Sequence, residues 1–354
     1  MLRIKKQNLF KQLWETHLSD YVTAVAWSPD GTQLAASSDA GDVILYTPTT
    51  GKSTCLQSPQ GESVDALAIS VDGQFLAAGG QAGTVWIWQI DGDSPTLLTT
   101  LDHARTWINR LQWHPSSPEL AFSFGRCVKV WHAVAQTVVA TLNFEDSSVL
   151  DLAWHPQGRE LSLGGNQRIK TWQSQDWDKG PAVRDVGGAS LAIAWSPDGT
   201  YLASGNNNRS VVMWEKGNSY PWRMQGLSGK VRQLAWSKPT VKGAPLLALM
   251  SGERIVVWTK AANPLRGPKI KVLDAHKGMV QAIAFRPNSL LLASAAEDGC
   301  LYLWQKSGRI AQTLEGASGG FSCLAWSEQS TMLAAGGSGG ELFVWTETTE
   351  KKRI

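Results

Sequence analysis

The sequence predicts an all-β toroid of eight four-stranded sheets, and three observations predict it. A ten-residue segment recurs at a nearly fixed spacing, apolar residues alternate in strand fashion between the recurrences, and tryptophan is concentrated at fixed points of the period. The segment VTAVAWSPDG (Val22 to Gly31) returns as VDALAISVDG (Val64 to Gly73) and SLAIAWSPDG (Ser190 to Gly199). Looser copies read INRLQWHPSS, VLDLAWHPQG, VRQLAWSKPT, VQAIAFRPNS and FSCLAWSEQS. Their anchors are Trp27, Ile69, Trp113, Trp154, Trp195, Trp236, Phe285 and Trp326, with successive gaps of 42, 44, 41, 41, 41, 49 and 41 residues. A period of this size marks a repeat protein, in which each unit buries its apolar face against the next. The copies are numbered 1 to 8 below.

Each repeat continues through the same elements in order. The segment itself is the first strand. A second apolar run follows (LAASS, FLAAGG, LAFSF, LSLGG, YLASG, LLALM, LLASA, MLAAGG), then a turn rich in Gly, Asp and Asn. A third alternating run ends in an aromatic residue: Tyr46, Trp88, Trp131, Trp172, Trp214, Trp258, Trp304 or Trp345. A fourth strand follows in most repeats, as in STCLQS after Lys52, TLLTTL at 96–101 and RIAQTLEG after Gly308. Two-residue alternation bounded by turn residues reads as short antiparallel strands. Four strands per unit make one blade of a β-propeller. Repeat 6 owes its longer spacing to an enlarged first-to-second loop, Ser237 to Pro245, and it has a long connection at Lys260 to Lys269. Proline and glycine predict solvated turns in both.

Of the 18 Trp, 13 stand at first- or third-strand anchors, where neighbouring blades stack. Burying roughly 150–250 Å² apiece, each contributes about 4–6 kcal/mol of gross burial at ~25 cal/mol/Å² before ordering entropy is subtracted. Trp14, Trp86, Trp107, Trp177 and Trp222 fall outside the stacking positions.

On these strands the chain resembles the WD-repeat (WD40) β-propeller family, over nearly its whole length. The family pattern is a Gly-His lead-in, a V-x-x-V-A-F-S-P-D-G strand, an L-A-S-G-S strand, an Asp-Gly turn and a closing Trp-Asp. The strands are kept; the third-strand Trp is followed by Gln, His, Glu or Thr, and the one Trp-Asp, Trp177-Asp178, comes five residues late. The resemblance implies that the surplus strand Leu9 to Thr16 supplies the outer strand of the last blade, whose own fourth strand is missing after Trp345. Such pairing removes an open sheet edge. The expected organisation is a basic tail at 1–8, a single propeller at 9–346 and a charged tail at 347–354. The resemblance also places His276, Ser294, Asp298 and Trp304 at the family's buried hydrogen-bonded tetrad, a structural role in which Asp298 fixes the imidazole tautomer. His17 with Asp39 is a partial copy of that set.

The remaining motifs point away from catalysis. Thr50-Gly51-Lys52-Ser53 lacks the earlier glycine and the helix of a phosphate-binding loop. The two GxSxG stretches, around Ser318 and Ser338, lie where the repeat needs loops, without the strand–turn–helix geometry of a nucleophile elbow. Six scattered His and four Cys without short spacing give no metal site, no cofactor and no disulfide framework. No apolar run of membrane-spanning length and no signal-peptide core are present, which predicts a cytoplasmic protein.

One pattern is not explained by packing. The second-to-third-strand hairpins of repeats 3 to 6 carry Arg126, Arg168, Arg209 and Arg254, and the lead-ins of neighbouring first strands add Arg105, Arg110, Lys230 and Arg232. The other four hairpins read DAGD, QAGT, EDGC and SGGE. This predicts a one-sided basic arc on a molecule of net charge +3, with Trp107 at its edge. Arginine beside an exposed aromatic is the composition of interaction hot spots and of forks for carboxylate or phosphate. The expected function is a non-catalytic scaffold that binds other proteins through their acidic segments. The alternative is nucleic acid or a phosphorylated ligand on the same arc, which the near-neutral charge disfavours.

Overall fold

The computed structural model describes residues 8–92, 94–103, 106–241, 243–261, 267–306 and 308–348. Among them the regular structure is entirely β, in 31 strands that form six four-stranded sheets and one seven-stranded sheet, all antiparallel between neighbours. Repeats 1, 2, 3, 6 and 7 each make one sheet, with the four strands side by side in chain order. In repeat 1 these are Val22–Trp27, Leu34–Ser38, Val43–Thr47 and Lys52–Gln57. Repeats 4 and 5 share the seven-stranded sheet. Strand Ala182–Trp195 pairs along its first half with Asn166–Gln173 and along its second half with Tyr201–Asn206, so it is outer strand of one repeat and inner strand of the next.

The last sheet draws on both ends of the chain. Strands Phe321–Trp326, Met332–Gly337 and Glu341–Glu347 are completed by Phe10–His17, which pairs antiparallel with Glu341–Glu347. The strand begins and ends one residue later than the sequence suggests. The cause is visible at its start: Phe10 is fully buried, its N–H donates to Gln312 Oε1 (2.9 Å), and its carbonyl accepts from Gln312 Nε2 (2.7 Å). Arg286 joins the same corner, donating to Ser330 O (2.9 Å), pairing with Glu347 (2.8 Å) and lying over the Phe10 ring. Of the two terminal tails, residues 1–7 and 349–354 lie outside the described residues.

Buried apolar residues group into eight clusters, and each draws on two consecutive repeats, with repeats 8 and 1 sharing one through Val22, Leu34, Ala334 and Val344. A hydrogen bond repeats with them. The first-strand indole N–H of one repeat donates to an inner-strand carbonyl of the repeat before: Trp113 to Ala68, Trp154 to Gln112, Trp236 to Ala194 and Trp326 to Ala284, at 3.0–3.2 Å. Trp27 makes the same bond to Ala325, 298 residues away (3.0 Å). A buried indole N–H needs an acceptor, and the repeat supplies it from the neighbour's backbone.

Two expectations are corrected here. The enlarged loop of repeat 6 is mostly strand: Leu234–Val241 and Ala244–Ser251 pair out to Val241 and Ala244 across a bulge, so the inserted residues lengthen a hairpin. Its second connection falls largely on residues 262–266, outside the described residues. Three of the five supernumerary Trp do pack: Trp14 on Tyr46 with its N–H to Pro48 O (2.8 Å), Trp177 edge-on to Trp154, and Trp86 on the cluster joining repeats 1 and 2.

Candidate functional site

In an antiparallel four-stranded unit the second-to-third hairpin and the lead-in to the first strand lie at one end, and the other two turns lie at the opposite end. Arg126, Arg168, Arg209 and Arg254 are therefore displayed at one end of their sheets, and all four are exposed. Local backbone fixes two of them. Gly125, at φ 56°, and Arg126 make the two-residue turn between Glu119–Phe124 and Cys127–His132, a turn that needs a left-handed residue. Arg209 itself takes φ 60°, between Tyr201–Asn206 and Val211–Glu215.

The arginines do not stand free as a group. Arg168 faces Asp146 (3.4 Å) and Asp185 (3.5 Å), Arg254 faces Asp274 (3.1 Å), and Arg110 faces Asp151 (3.0 Å). Arg126 donates to the Glu145 carbonyl at 3.3 Å. Burial pushes the Asp151 carboxyl above its ordinary 3.8, and the Arg110 guanidinium works against that shift. Lys170 is buried beneath them, its ammonium held by Phe144 O (2.5 Å), Asp146 (3.3 Å) and Glu145 (3.4 Å). Sequence reasoning missed these acids because each lies about twenty or more residues from its arginine. The signal was present in the repeat, since Glu145, Asp146, Asp185 and Asp274 all stand at or just after a fourth strand, at the same end as the hairpins.

Among the described residues, Arg209, Lys230 and Arg232 are exposed and make no ion pair. The structure brings them together. The lead-in of repeat 6 runs along the hairpin of repeat 5, with Leu227 N–H donating to Arg209 O (3.3 Å) and Val231 N–H to Asn206 O (3.1 Å). Trp107, at 48% exposure, turns its indole N–H to Asp65 (2.6 Å), toward repeat 2. Arg105 lies outside the described residues. At the same end of repeats 1, 2 and 7, Asp20, Asp39, Glu62 and Glu297 are exposed together with Lys277.

In repeat 7, His276 Nδ1 lies 3.1 Å from Asp298, its Nε2 lies 2.7 Å from Ser294 Oγ, and Trp304 Nε1 donates to the same oxygen (2.8 Å). One proton arrangement satisfies every group: Nδ1–H donates to the carboxylate, and Ser294, already accepting from the indole, donates its hydroxyl to Nε2. Burial lowers the His276 pKa below its ordinary 6.5, against the pull of Asp298. The set is closed to substrate, with His276 buried between Tyr302 and the strands. His17 and Asp39, read as a partial copy, are both exposed and share no hydrogen bond; the buried carboxylate of repeat 1 is Asp42, which binds Ser38 Oγ and Ser19 N–H. No group of three or more metal-ligating side chains and no helix long and apolar enough to cross a membrane occurs among the described residues.

The fold is that of a repeat-built all-β protein: antiparallel sheets packed on one another, with charged hairpins at one end. The chain belongs to the WD40 family, "WD domain, G-beta repeat", which matches at residues 9–47, 53–89, 95–132, 187–215, 267–305 and 308–346. It is similar to human "Protein Atg16l2", 42% identical over 71 residues, which is 19% of this chain and 11% of that protein. The mouse "Protein Atg16l2" is 48% identical over 54 residues, 14% of this chain and 9% of the relative. The matched stretches span about a tenth of these relatives.

Proposed function

We propose that this protein is a non-catalytic, protein-binding platform: an eight-bladed propeller over residues 9–346 whose N-terminal strand closes the ring. Three features support the ring. Eight apolar clusters link consecutive repeats, the Trp27–Ala325 bond repeats across the seam the contact made elsewhere, and Phe10–His17 pairs with Glu341–Glu347. WD40 repeats generally mediate protein–protein interactions, and loops on a stiff scaffold present side chains at low ordering cost.

The binding surface is the arginine-bearing end of repeats 3 to 6, and its partner is an acidic protein segment. The observation that carries this reading is the adjacency of Arg209, Lys230 and Arg232, three exposed cations that make no ion pair among the described residues. Arg110, Arg168 and Arg254 flank them already paired, so they contribute register more than net attraction. The carboxylates interspersed among them disfavour nucleic acid, whose binding needs uncompensated charge along a phosphate backbone. A cytoplasmic setting, where four unpaired thiols stay reduced, belongs to the same proposal.

Titration of an Asp/Glu-rich peptide into the protein tests it. Replacing Arg209, Lys230 and Arg232 with Ala is expected to weaken binding about tenfold or more while leaving thermal unfolding nearly unchanged. Peptide affinity that survives the triple variant, or duplex DNA bound more tightly than the peptide, would overturn the assignment.

A further inference from the structure

The opposite end of the sheets holds a cleft of about 400 Å³ between repeats 4 and 5. Trp195, Trp214 and Leu202 line it, together with Arg159, Arg184 and Lys216. Two departures from the repeat rule meet here. Trp214 is the one third-strand aromatic of the eight that is not buried. Trp195 sends its indole N–H to Ser162 Oγ (3.2 Å), where most first-strand Trp bond a neighbouring backbone carbonyl. A position that breaks a local rule without a packing gain is where function is expected.

The cations in the cleft are short of acceptors. The Nε of Arg159 is buried with no hydrogen-bond partner. Its Nη2 lies 2.9 Å from His155 Nε2, but His155 Nδ1 accepts the Gln157 N–H (3.1 Å), so the neutral ring carries its proton on Nε2 and offers Arg159 nothing. Arg184 is half-buried, donates Nη1–H to Thr171 Oγ1 (3.1 Å), and burial lowers its pKa. Lys216 is exposed and makes no ion pair among the described residues. Two carboxylates also line the cleft. Glu215 is occupied by Lys260 (2.6 Å) and the Tyr201 hydroxyl (2.9 Å), while Glu160 accepts from Gln173 (3.1 Å). Three cations thus face one carboxylate, Glu160, whose charge also acts on Arg184. Such a balance leaves the cleft positive and favours an anion, and the indoles suit a flat apolar body beside it. The volume lies within the ~300–1,000 Å³ of small-ligand sites.

We propose that this cleft binds a carboxylate carried next to an aromatic group, either at the end of a peptide or on a small aromatic acid. The site lies at the far end of the sheets from Arg209, so it stands or falls separately from the arginine face. Indole N–H resonances of Trp195 and Trp214, identified with Trp195→Phe and Trp214→Phe, read occupancy directly. The probes are a blocked tripeptide ending in Phe with a free carboxylate, phenylacetate and inorganic phosphate. Saturable shifts are expected with a carboxylate probe, weakened about tenfold by Arg159→Gln or Lys216→Gln and untouched by Arg209→Ala. Tighter binding of the tripeptide assigns a peptide ligand, and equal or tighter binding of phenylacetate assigns a small acid. Lys216 is exposed, so its variant keeps the test valid even where Arg159→Gln does not fold. No shift with either carboxylate, shifts with phosphate alone, or unchanged affinity in the folded variants overturns the proposal.

Discussion

Two junctions of this molecule solve the same problem by opposite means. At the seam, repeats 8 and 1 are about 300 residues apart in sequence, and side chains do the joining: Trp27 bonds Ala325 and Ser322 bonds the Val22 carbonyl, while Gln312 and Arg286 of repeat 7 hold Phe10 and Glu347, the outer pair of the last sheet. Between repeats 4 and 5 the chain itself is the joint, a 14-residue strand shared by both. Trp195 still bonds Ser162 across this joint and an apolar cluster fills it, but other side chains there are left over. At that junction Trp214 is only half-buried and the Arg159 Nε has no hydrogen-bond partner among the described residues. The contrast is between a seam clasped by side-chain hydrogen bonds and a shared-strand junction where an indole face and an arginine N–H are spare.

The largest expected effect is at the seam. Deleting residues 1–17 removes the outer strand and bares an edge, and the chain should lose its cooperative thermal transition; Phe10→Ala alone should cost about 3–5 kcal/mol in denaturant unfolding, as truncation of a buried phenylalanine does. At the other junction, Gly199→Ala would set a Cβ 2.3 Å from His155 Nε2 with the backbone at φ 68°, so a loss of about 1–3 kcal/mol is expected. A smaller effect of Phe10→Ala than of Gly199→Ala would reverse the ranking. Replacing His276 by Ala should cost about 1–3 kcal/mol through the unpaired Ser294 and Asp298, whereas His17→Ala should stay within about 0.5 kcal/mol. Equal losses would mean that repeat 1 holds a working copy after all.

A pH series sharpens the comparison further. Burial lowers the pKa of His103, His155 and His276 below the ordinary 6.5, with Lys129 and Arg159 adding repulsion at the first two. The unfolded chain therefore binds protons first as the pH falls. Stability should be level above about pH 7, decline below 6.5, and level again once the folded-state values are passed. His155→Gln should flatten part of that decline. A rise in stability on acidification through this window would contradict the signs.

The blades were legible in the sequence because period and alternation are properties of the strand itself. So were the hairpin arginines, since a turn residue faces water wherever the turn is. The counter-charges were not: Asp274 meets Arg254, and Asp151 meets Arg110, only after strands from distant parts of the repeat are folded together. Nor could the cleft be read, because Trp214 occupies the same place as Trp172 and Trp258, and only the surroundings of its ring differ. The loop of repeat 6 misled for a simpler reason. Its prolines and glycine are placed where a bulged hairpin tolerates them.

Amide hydrogen exchange across Phe10–His17 tests the account most directly, since closure fixes which repeats are neighbours and so where the charged hairpins meet. Protection of the Phe10 and Leu18 amides, which donate to Gln312 Oε1 and to the Gly340 carbonyl, equal to that of the central strand Met332–Gly337 is the predicted result. Exchange of those amides at the rate of an unpaired chain, with the rest of the sheets protected, would contradict it.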